Sequence, residues 1–351
     1  MTIKCRRFAE NPLLTPEQVK PSRSDFCVTG VLNAGAFEFE GDFCWLVRVA
    51  EAPVQNDPSV LRIPLMDVSG PRPVMLFKTF RRDDPTVDFS DPRLVRTPDE
   101  LYITNVSHLR MARSKDGRHW TIDDQPLLVP TDRYEQFGIE DPRITFIDGE
   151  YLVTYSAISR HGVTSNLITT RDWKAFERRG VLFVPDNKDI CIFPETVGGR
   201  YVALHRPSMS MLFKPDVWIA FSDDLIHWGE HECIMRVRRG MWDSARIGCG
   251  PAPIRTDKGW LEIYHGSDDH SYYLGAALLD IDDPRKVLAR SERPLLAPEA
   301  PCEKKGFFDN VVFANGQRLR PNGTLWIYYG GADRVMAGCE ITVREVLRSL
   351  E

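Results

Sequence analysis

Residues 143–157, RITFIDGEYLVTYSA, read as two short strands around a two-residue turn. Apolar side chains recur at every second position on both sides of Asp148-Gly149, the period of strands with one buried face. An Asp-Gly pair tolerates positive φ at both turn positions, so it closes a tight hairpin that keeps the twist of its strands. The same pattern returns in AFEFEGDFCWLVRV (36–49), VGGRYVALHRP (197–207), IRTDKGWLEIYHG (254–266) and RLRPNGTLWIYYGG (318–331). Long amphipathic helical periodicity is scarce, and the chain reads as all-β.

The hairpins recur at roughly 50–60 residues, a spacing typical of propeller blades and similar arrays. Three further stretches, RMARSKDGRHW (110–120), LITTRDWKAF (167–176) and WIAFSDDLIHW (218–228), end in a charged turn and an aromatic. Such a turn fits the outer edge of a blade. A sandwich also supplies short strands but does not explain the recurrence, so a β-propeller is expected. Blade number is left open by spacing, because DPRLVRTPDELYITNVS (91–107) is a sixth hairpin-like unit. The preferred reading makes residues 51–107 an insertion within the first blade. No Pro/Gly/Ser-rich linker divides the chain, so residues 1–351 are expected to form a single β-propeller domain.

The chain has 351 residues, 42% hydrophobic and 27% charged, with a net charge of −5. That balance argues against a nucleic-acid or anionic-membrane partner. The N-terminal stretch lacks the apolar core of a signal peptide, and no apolar run approaches a membrane span. Eight cysteines stand singly at 5, 27, 44, 191, 233, 249, 302 and 339. Without a Cys-x-x-Cys pair, reduced thiols in a cytoplasm are expected and a zinc site is not. Phosphate-loop, dinucleotide, Gly-x-Ser-x-Gly and His-Glu-x-x-His motifs are all absent. No metal or organic cofactor is expected; a homo-oligomer is left open.

In a propeller the innermost strand of each blade lines a central channel, so the segments entering each hairpin carry the chemistry. They are VLNAGAF (31–37), GIEDPRI (138–144), DNKDICIFPE (186–195), ARIGCGPAPI (245–254) and DNVVF (309–313). Each sets a charged or amide residue beside an apolar strand, and all but the last include Pro or Gly. In GIEDPRI, strand alternation predicts that Glu140 and Asp141 face opposite sides. Asp141 then has two readings. One is an acid held partly out of water, its pKa raised, that protonates a leaving oxygen. The other is a turn cap paired with Arg143. Lys188, Arg206, Arg246 and His265 form a basic set whose meaning depends on whether they converge; arginine's planar fork suits phosphate or carboxylate.

At these segments the sequence resembles the glycoside hydrolase family 130 mannoside phosphorylases and mannosidases. The resemblance runs from Asn33 to Asp333 through N-A-G (33–35), L-V-R (46–48), G-I-E-D-P-R-I-T (138–145) and N-K-D-I-C-I-F-P-E (187–195). It continues through L-H-R-P (204–207), R-I-G-C-G-P-A-P-I (246–254), G-W-L-E-I-Y-H-G (259–266), L-G-A-A-L-L-D (274–280), N-V-V-F (310–313) and Y-Y-G-G-A-D (328–333). It implies a five-bladed propeller and an inverting reaction at a terminal β-mannosyl unit. Asp141 is then implied to be the general acid, acting through a sugar hydroxyl. Asn33, Arg48, Arg143, Lys188, Asp189 and Asp333 are implied to hold the mannosyl unit and its surroundings.

The implied phosphate site falls on Arg206, Arg246 and His265, with Tyr272 or Tyr273 nearby. Arg246 departs from the lysine usual in β-1,4-acting members but keeps the charge. Retention of this basic cluster favours phosphorolysis, with inorganic phosphate as co-substrate and α-mannose 1-phosphate as product. G-I-E-D-P-R and S-H-L-R-M-A-R-S (107–114) look more like the β-1,2-acting members. His108 and Arg110 either shape the acceptor side or serve the blade. The same-fold alternative is an inverting β-mannosidase with Glu195 or Glu262 as base. A non-catalytic carbohydrate-binding propeller is the alternative from another class.

Overall fold

Each hairpin of the sequence grows into an antiparallel set of strands. A computed structural model describes residues 3–70, 72–208 and 214–351. Asp148 and Gly149 both take positive φ, 54° and 78°, and set Ile147 opposite Glu150, the turn the sequence requires. The first set comprises Phe26–Phe39, Asp42–Pro53, Val106–Ser114 and Thr121–Ile122. The second comprises Gly138–Ile147, Glu150–Ser159, Gly162–Thr170 and Glu177–Phe183. One parallel pair, Gly138 with Ser107, joins these two into an eight-stranded sheet. Asn187–Ile192, Tyr201–Pro207, Val217–Ser222 and Trp228–Met235 make the third set.

In the fourth, Arg246–Cys249 and Ile254–Thr256 both pair with Gly259–Ser267, followed by Tyr272–Leu279 and Val287–Arg290. The fifth takes Val312–Leu319, Thr324–Gly331 and Val335–Thr342, and its edge is completed by Arg6–Arg7 from the other end of the chain. Helices are confined to short segments such as Pro301–Lys304 and Val343–Ser349.

The charged turns noted in the sequence join the third and fourth strands of their sets. Asp116 accepts the backbone N–H of Arg118 and His119; Asp224 does the same for Ile226 and His227. Asp172 accepts from Lys174 and Ala175. A short carboxylate bonding backbone two and three residues ahead pins such a turn.

Apolar clusters fill the space between consecutive sets. Phe37, Leu46 and Met111 meet Val153 and Tyr155; Leu152 and Leu167 meet Ile190 and Ala203. Leu204 and Ile219 meet Trp260 and Leu279, and Leu261 and Ile263 meet Leu325 and Ile327. Trp45 and Val47 of the first set meet Tyr328 and Met336 of the fifth. Between the second and third strands of the first set, residues 54–105 carry two separate two-stranded sheets, Val60–Asp67 with Val74–Arg81 and Leu94–Arg96 with Leu101–Ile103. The sixth hairpin-like unit is thus a two-stranded ribbon. Its Val95 and Tyr102 pack with Ile63, Phe80, Phe137 and Ile158.

Candidate active site

Three opening strands share one irregularity. Their registers shift between Leu32 and Gly35, between Glu140 and Arg143, and between Lys188 and Cys191. At each break sits an Asn or Asp with positive φ: Asn33 at 51°, Asp141 at 52° and Asp189 at 55°. Asx residues tolerate this left-handed conformation better than most non-glycine residues, and the extra residue re-aims a side chain out of the alternating pattern. The bulge at Asp141 corrects the sequence expectation. Glu140 and Asp141 both line one cavity, because alternation holds only along an unbroken ladder.

The cavity measures about 260 Å³ and is lined by residues of all five sets. Arg48 bridges the two neighbouring carboxylates, Nη2 donating to Glu140 Oε1 at 2.7 Å and Nη1 to Asp141 Oδ1 at 3.0 Å. Asn33 Nδ2 donates to the same Asp141 oxygen at 2.9 Å. Burial alone would raise the Asp141 carboxyl, but Arg48, Lys188, the Asn33 hydrogen bond and Arg143 outweigh it and hold it below the usual range. The reading of Asp141 as an acid with a raised pKa is therefore not met in this structure. Nor does Arg143 pair with that carboxylate; it donates to the Asp141 backbone carbonyl at 3.0 Å. Asp333, across from Arg48, is pushed up to about 6, chiefly by burial, with Arg48 opposing and Asp141 adding repulsion.

The third and fourth sets supply further cations, Lys188, Arg206 and Arg246. Arg206 Nη1 lies 2.6 Å from Asp189 Oδ2 and 3.2 Å from His265 Nε2. Asp189 Oδ1 accepts from Arg143 Nη2 at 3.0 Å. Burial would raise Asp189, but Arg206, His265 and Arg143 together carry it well below the carboxylate range. His265 is fully buried, and burial lowers it to about 4, so the imidazole is neutral at pH 7. Gly248 allows this packing, since a Cβ there would run into Asp189 Oδ2 and His265 Nε2. Lys188 and Arg246 line the cavity without a carboxylate partner within ion-pair distance among the described residues.

Eight of the ten sequence-derived site residues thus border one space: Asn33, Arg48, Asp141, Lys188, Asp189, Arg206, Arg246 and Asp333. Arg143 and His265 do not; they stand behind Asp189 and Arg206. Tyr272 lines the cavity, whereas the Tyr273 hydroxyl donates to Asp268 at 2.9 Å. His108 and Arg110 are buried away from it, Arg110 spanning Glu51, His108 Nε2 and the carbonyls of Lys20 and Asp124. Neither candidate base reaches the cavity. Glu195 pairs with Arg255 at 2.5 Å, and Glu262 accepts the Gly250 N–H at 2.9 Å.

Comparison with known proteins follows this geometry. A sequence model of glycoside hydrolase family 130, described as β-1,4-mannooligosaccharide phosphorylase, matches residues 100–351. A β-1,2-mannobiose phosphorylase of Listeria innocua is 45% identical over 350 residues, 98% of each chain. The chain belongs to glycoside hydrolase family 130. A 1,2-β-oligomannan phosphorylase of a Thermoanaerobacter strain is 41% identical over 71% of this chain and 83% of its own. The solved Listeria innocua β-1,2-mannobiose phosphorylase, in complex with β-1,2-mannobiose, superposes with a TM-score of 0.95 over 99% of both chains.

This family-130 chain also brings residues to the cavity that sequence reasoning passed over: Glu140, Arg93, Asn105, Phe307 and Phe308. Glu140 was set aside by alternation. Arg93 belongs to an Asp-Pro-Arg (91–93) that also occurs at 141–143 and 283–285, so the motif alone does not single it out. A buried trio, Cys191, Cys249 and Glu262, places three potential ligand atoms within 4.8 Å of one another. Its members are too far apart in sequence for a spacing rule. Burial pushes Glu262 up to about 8 and the Cys191 thiol upward, so both groups are neutral at pH 7.

Proposed function

We propose that this enzyme carries out inverting phosphorolysis of terminal β-1,2-linked mannosides, giving α-mannose 1-phosphate and a shortened acceptor. The observation that carries the reading is the cation wall. Arg206 and Arg246 line the cavity, Arg246 without a carboxylate partner within ion-pair distance among the described residues, while Glu195 and Glu262 lie outside it. An inverting hydrolase needs a free carboxylate beside its water. On this wall the carboxylate present, Asp189, is engaged by two arginines and His265. The family-130 relatives named for β-1,2-mannobiose and 1,2-β-oligomannan, at 45% and 41% identity, support the β-1,2 linkage over the β-1,4 linkage in the family description.

Inorganic phosphate, gripped by Arg206 and Arg246 with neutral His265 bracing Arg206, attacks C1 of the mannosyl unit. Asn33, Arg48, Lys188 and Asp333 hold that unit by its hydroxyls, and Arg143 and Asp189 fix the wall behind. Asp141 releases the proton that the departing oxygen receives through a sugar hydroxyl. Arg48, Lys188 and Asn33 hold Asp141 ionised, so its carboxylate takes up a proton from solvent as substrate binds. Phosphate brings negative charge, and sugar hydroxyls draw on the donors of Arg48 and Lys188. Both changes raise the Asp141 carboxyl. Preorganised cations position phosphate and offset its charge as the bond to C1 forms.

The five-bladed propeller is supported by the cyclic order of the apolar clusters, which includes a cluster between the fifth and first sets. The direct pairing of Asp42–Pro53 with Val106–Ser114 supports a single domain whose first blade is interrupted by the intervening residues. Eight free cysteines fit a reducing, cytoplasmic setting.

Product analysis on β-1,2- and β-1,4-mannobiose, each with and without inorganic phosphate, tests the reading. Mannose 1-phosphate formed from the β-1,2 disaccharide only when phosphate is present is the expected result. Free mannose at equal rates in both buffers would make the enzyme a hydrolase.

A further inference from the structure

Arg48 stands between two adjacent carboxylates, and it does not hold them alike. Its Nη2 donates to Glu140 Oε1 at 2.7 Å, and its Nε donates to Ser107 Oγ at 3.1 Å. The Ser107 hydroxyl in turn donates to the same Glu140 oxygen at 3.3 Å. These bonds close a ring of Arg48, Ser107 and Glu140. The backbone fixes one corner of it, because Ser107 pairs with Gly138 across the parallel bridge. Gly138 has a φ of 126°, and a Cβ there would run into the Ser107 backbone. Asp141, outside the ring, receives from Arg48 a single bond, from Nη1 at 3.0 Å.

One guanidinium carries one charge, so beside two buried carboxylates it compensates one of them. Glu140 and Asp141 are equally buried, and the ring gives Glu140 the firmer claim. That division matters when Asp141 gains its proton, because a buried arginine without a counter-charge is strongly unfavourable. With Glu140 in place, Arg48 keeps a partner in both protonation states of Asp141. The other charges facing Asp141 are Lys188 from the third set, Arg143 on its own strand and Asp333 from the fifth. Arg206 and Arg246 border the same cavity. None of these forms an ion pair with the Asp141 carboxylate among the described residues, and all are common to the native enzyme and the variants below.

We propose that Glu140 is a positioning residue that holds the charge of Arg48, leaving Asp141 free to be neutralised for its role as acid. This rests on the phosphorolytic reading above, with Asp141 as proton donor. Glu140 acts through Arg48 and transfers no proton itself.

The test is the pH profile of kcat for phosphorolysis of β-1,2-mannobiose, with both substrates saturating, in native enzyme, Glu140→Gln and Glu140→Asp. In Glu140→Gln the whole charge of Arg48 falls on Asp141 and favours its ionised form. The basic limb of kcat, which reports the acid in the substrate complex, should move to lower pH by about one unit. At pH 7 kcat should fall about tenfold and recover as the pH is lowered. Glu140→Asp keeps the charge and should bring the limb back toward native. A uniform loss in Glu140→Gln, with the limb unmoved, overturns the proposal by making Glu140 a structural residue. An unmoved limb with a raised mannobiose KM overturns it too, by making Glu140 a sugar ligand. Equal shifts in the two variants also overturn it, since shape and not charge would then be at work. Ser107→Ala opens the ring without changing any charge and should move the limb the same way by a smaller amount. An unmoved limb there overturns the proposal even if the Glu140 variants fail to fold. Failure of the phosphorolytic reading is seen separately, as native enzyme that forms no mannose 1-phosphate; the role of Glu140 then falls with it.

Discussion

Asp141 and Asp189 are carried by the same device on neighbouring sets: a broken register, a positive φ and a carboxylate turned inward. Their surroundings separate them. Asp141 meets Arg48 and Asn33, and its Arg48 partner is shared with Glu140. Asp189, 1% exposed, is held by Arg143, Arg206 and His265. One aspartate has a local field that a ligand can change; the other is the fixed counter-charge around which two arginines are organised. A shared backbone solution thus serves a reagent in one place and a scaffold in the next.

The sharpest way to break this contrast is to neutralise each in turn. Asp141→Asn should lower kcat by about 10³-fold while leaving the urea unfolding midpoint near native, since Asn33 and Arg48 still find an amide oxygen. Near-native phosphorolysis by that variant would remove Asp141 from the mechanism. Asp189→Asn should cost about 3–5 kcal/mol of unfolding free energy, because Arg143 and Arg206 lose their buried counter-charge. An Asp189→Asn protein as stable as native would make the two aspartates equivalent after all.

Arg206→Ala tests the next level. It removes a phosphate donor and leaves Asp189 with Arg143, so kcat/KM for phosphate should drop about 10²-fold, with little change in the mannobiose KM. A loss confined to the mannoside would move Arg206 to the sugar side.

The smallest effect sharpens the picture of the layer behind Asp189. Glu262 titrates near 4.5 when unfolded and at about 8 in the fold. Between those values the folded chain holds a proton that the unfolded chain has released, so its contribution to stability declines as pH rises from 4.5 to about 8. Glu262→Gln has no such titration. It should match native stability below pH 4.5 and exceed it by a widening margin as pH rises to 7. Equal urea midpoints at both pH values would contradict the buried neutral acid.

The strands were legible because their information is local. A period of two around Asp148-Gly149 needs nothing beyond adjacent residues, and the charged turns at Asp116, Asp172 and Asp224 repeat with their bonding partners in sequence order. The site was legible in composition but not in aim. Alternation put Glu140 and Asp141 on opposite sides because a bulge leaves no compositional mark beyond an Asx residue. The ionisation of Asp141 depends on Arg48, 93 residues away, so no window around 138–144 contains its cause. Arg93 was hidden for a different reason. It enters from a segment outside the repeat, and only packing on the second set returns it to the cavity.

Arg6–Arg7 pairs with Val335–Thr342, the last strand of the fifth set. On a ribosome Arg6–Arg7 emerges long before its partner strand has been made. The edge of the fifth set therefore closes by capture of a segment made long before it. Until that moment the row of unmatched N–H and C=O groups along Val335–Thr342 is open to any other strand in the vicinity.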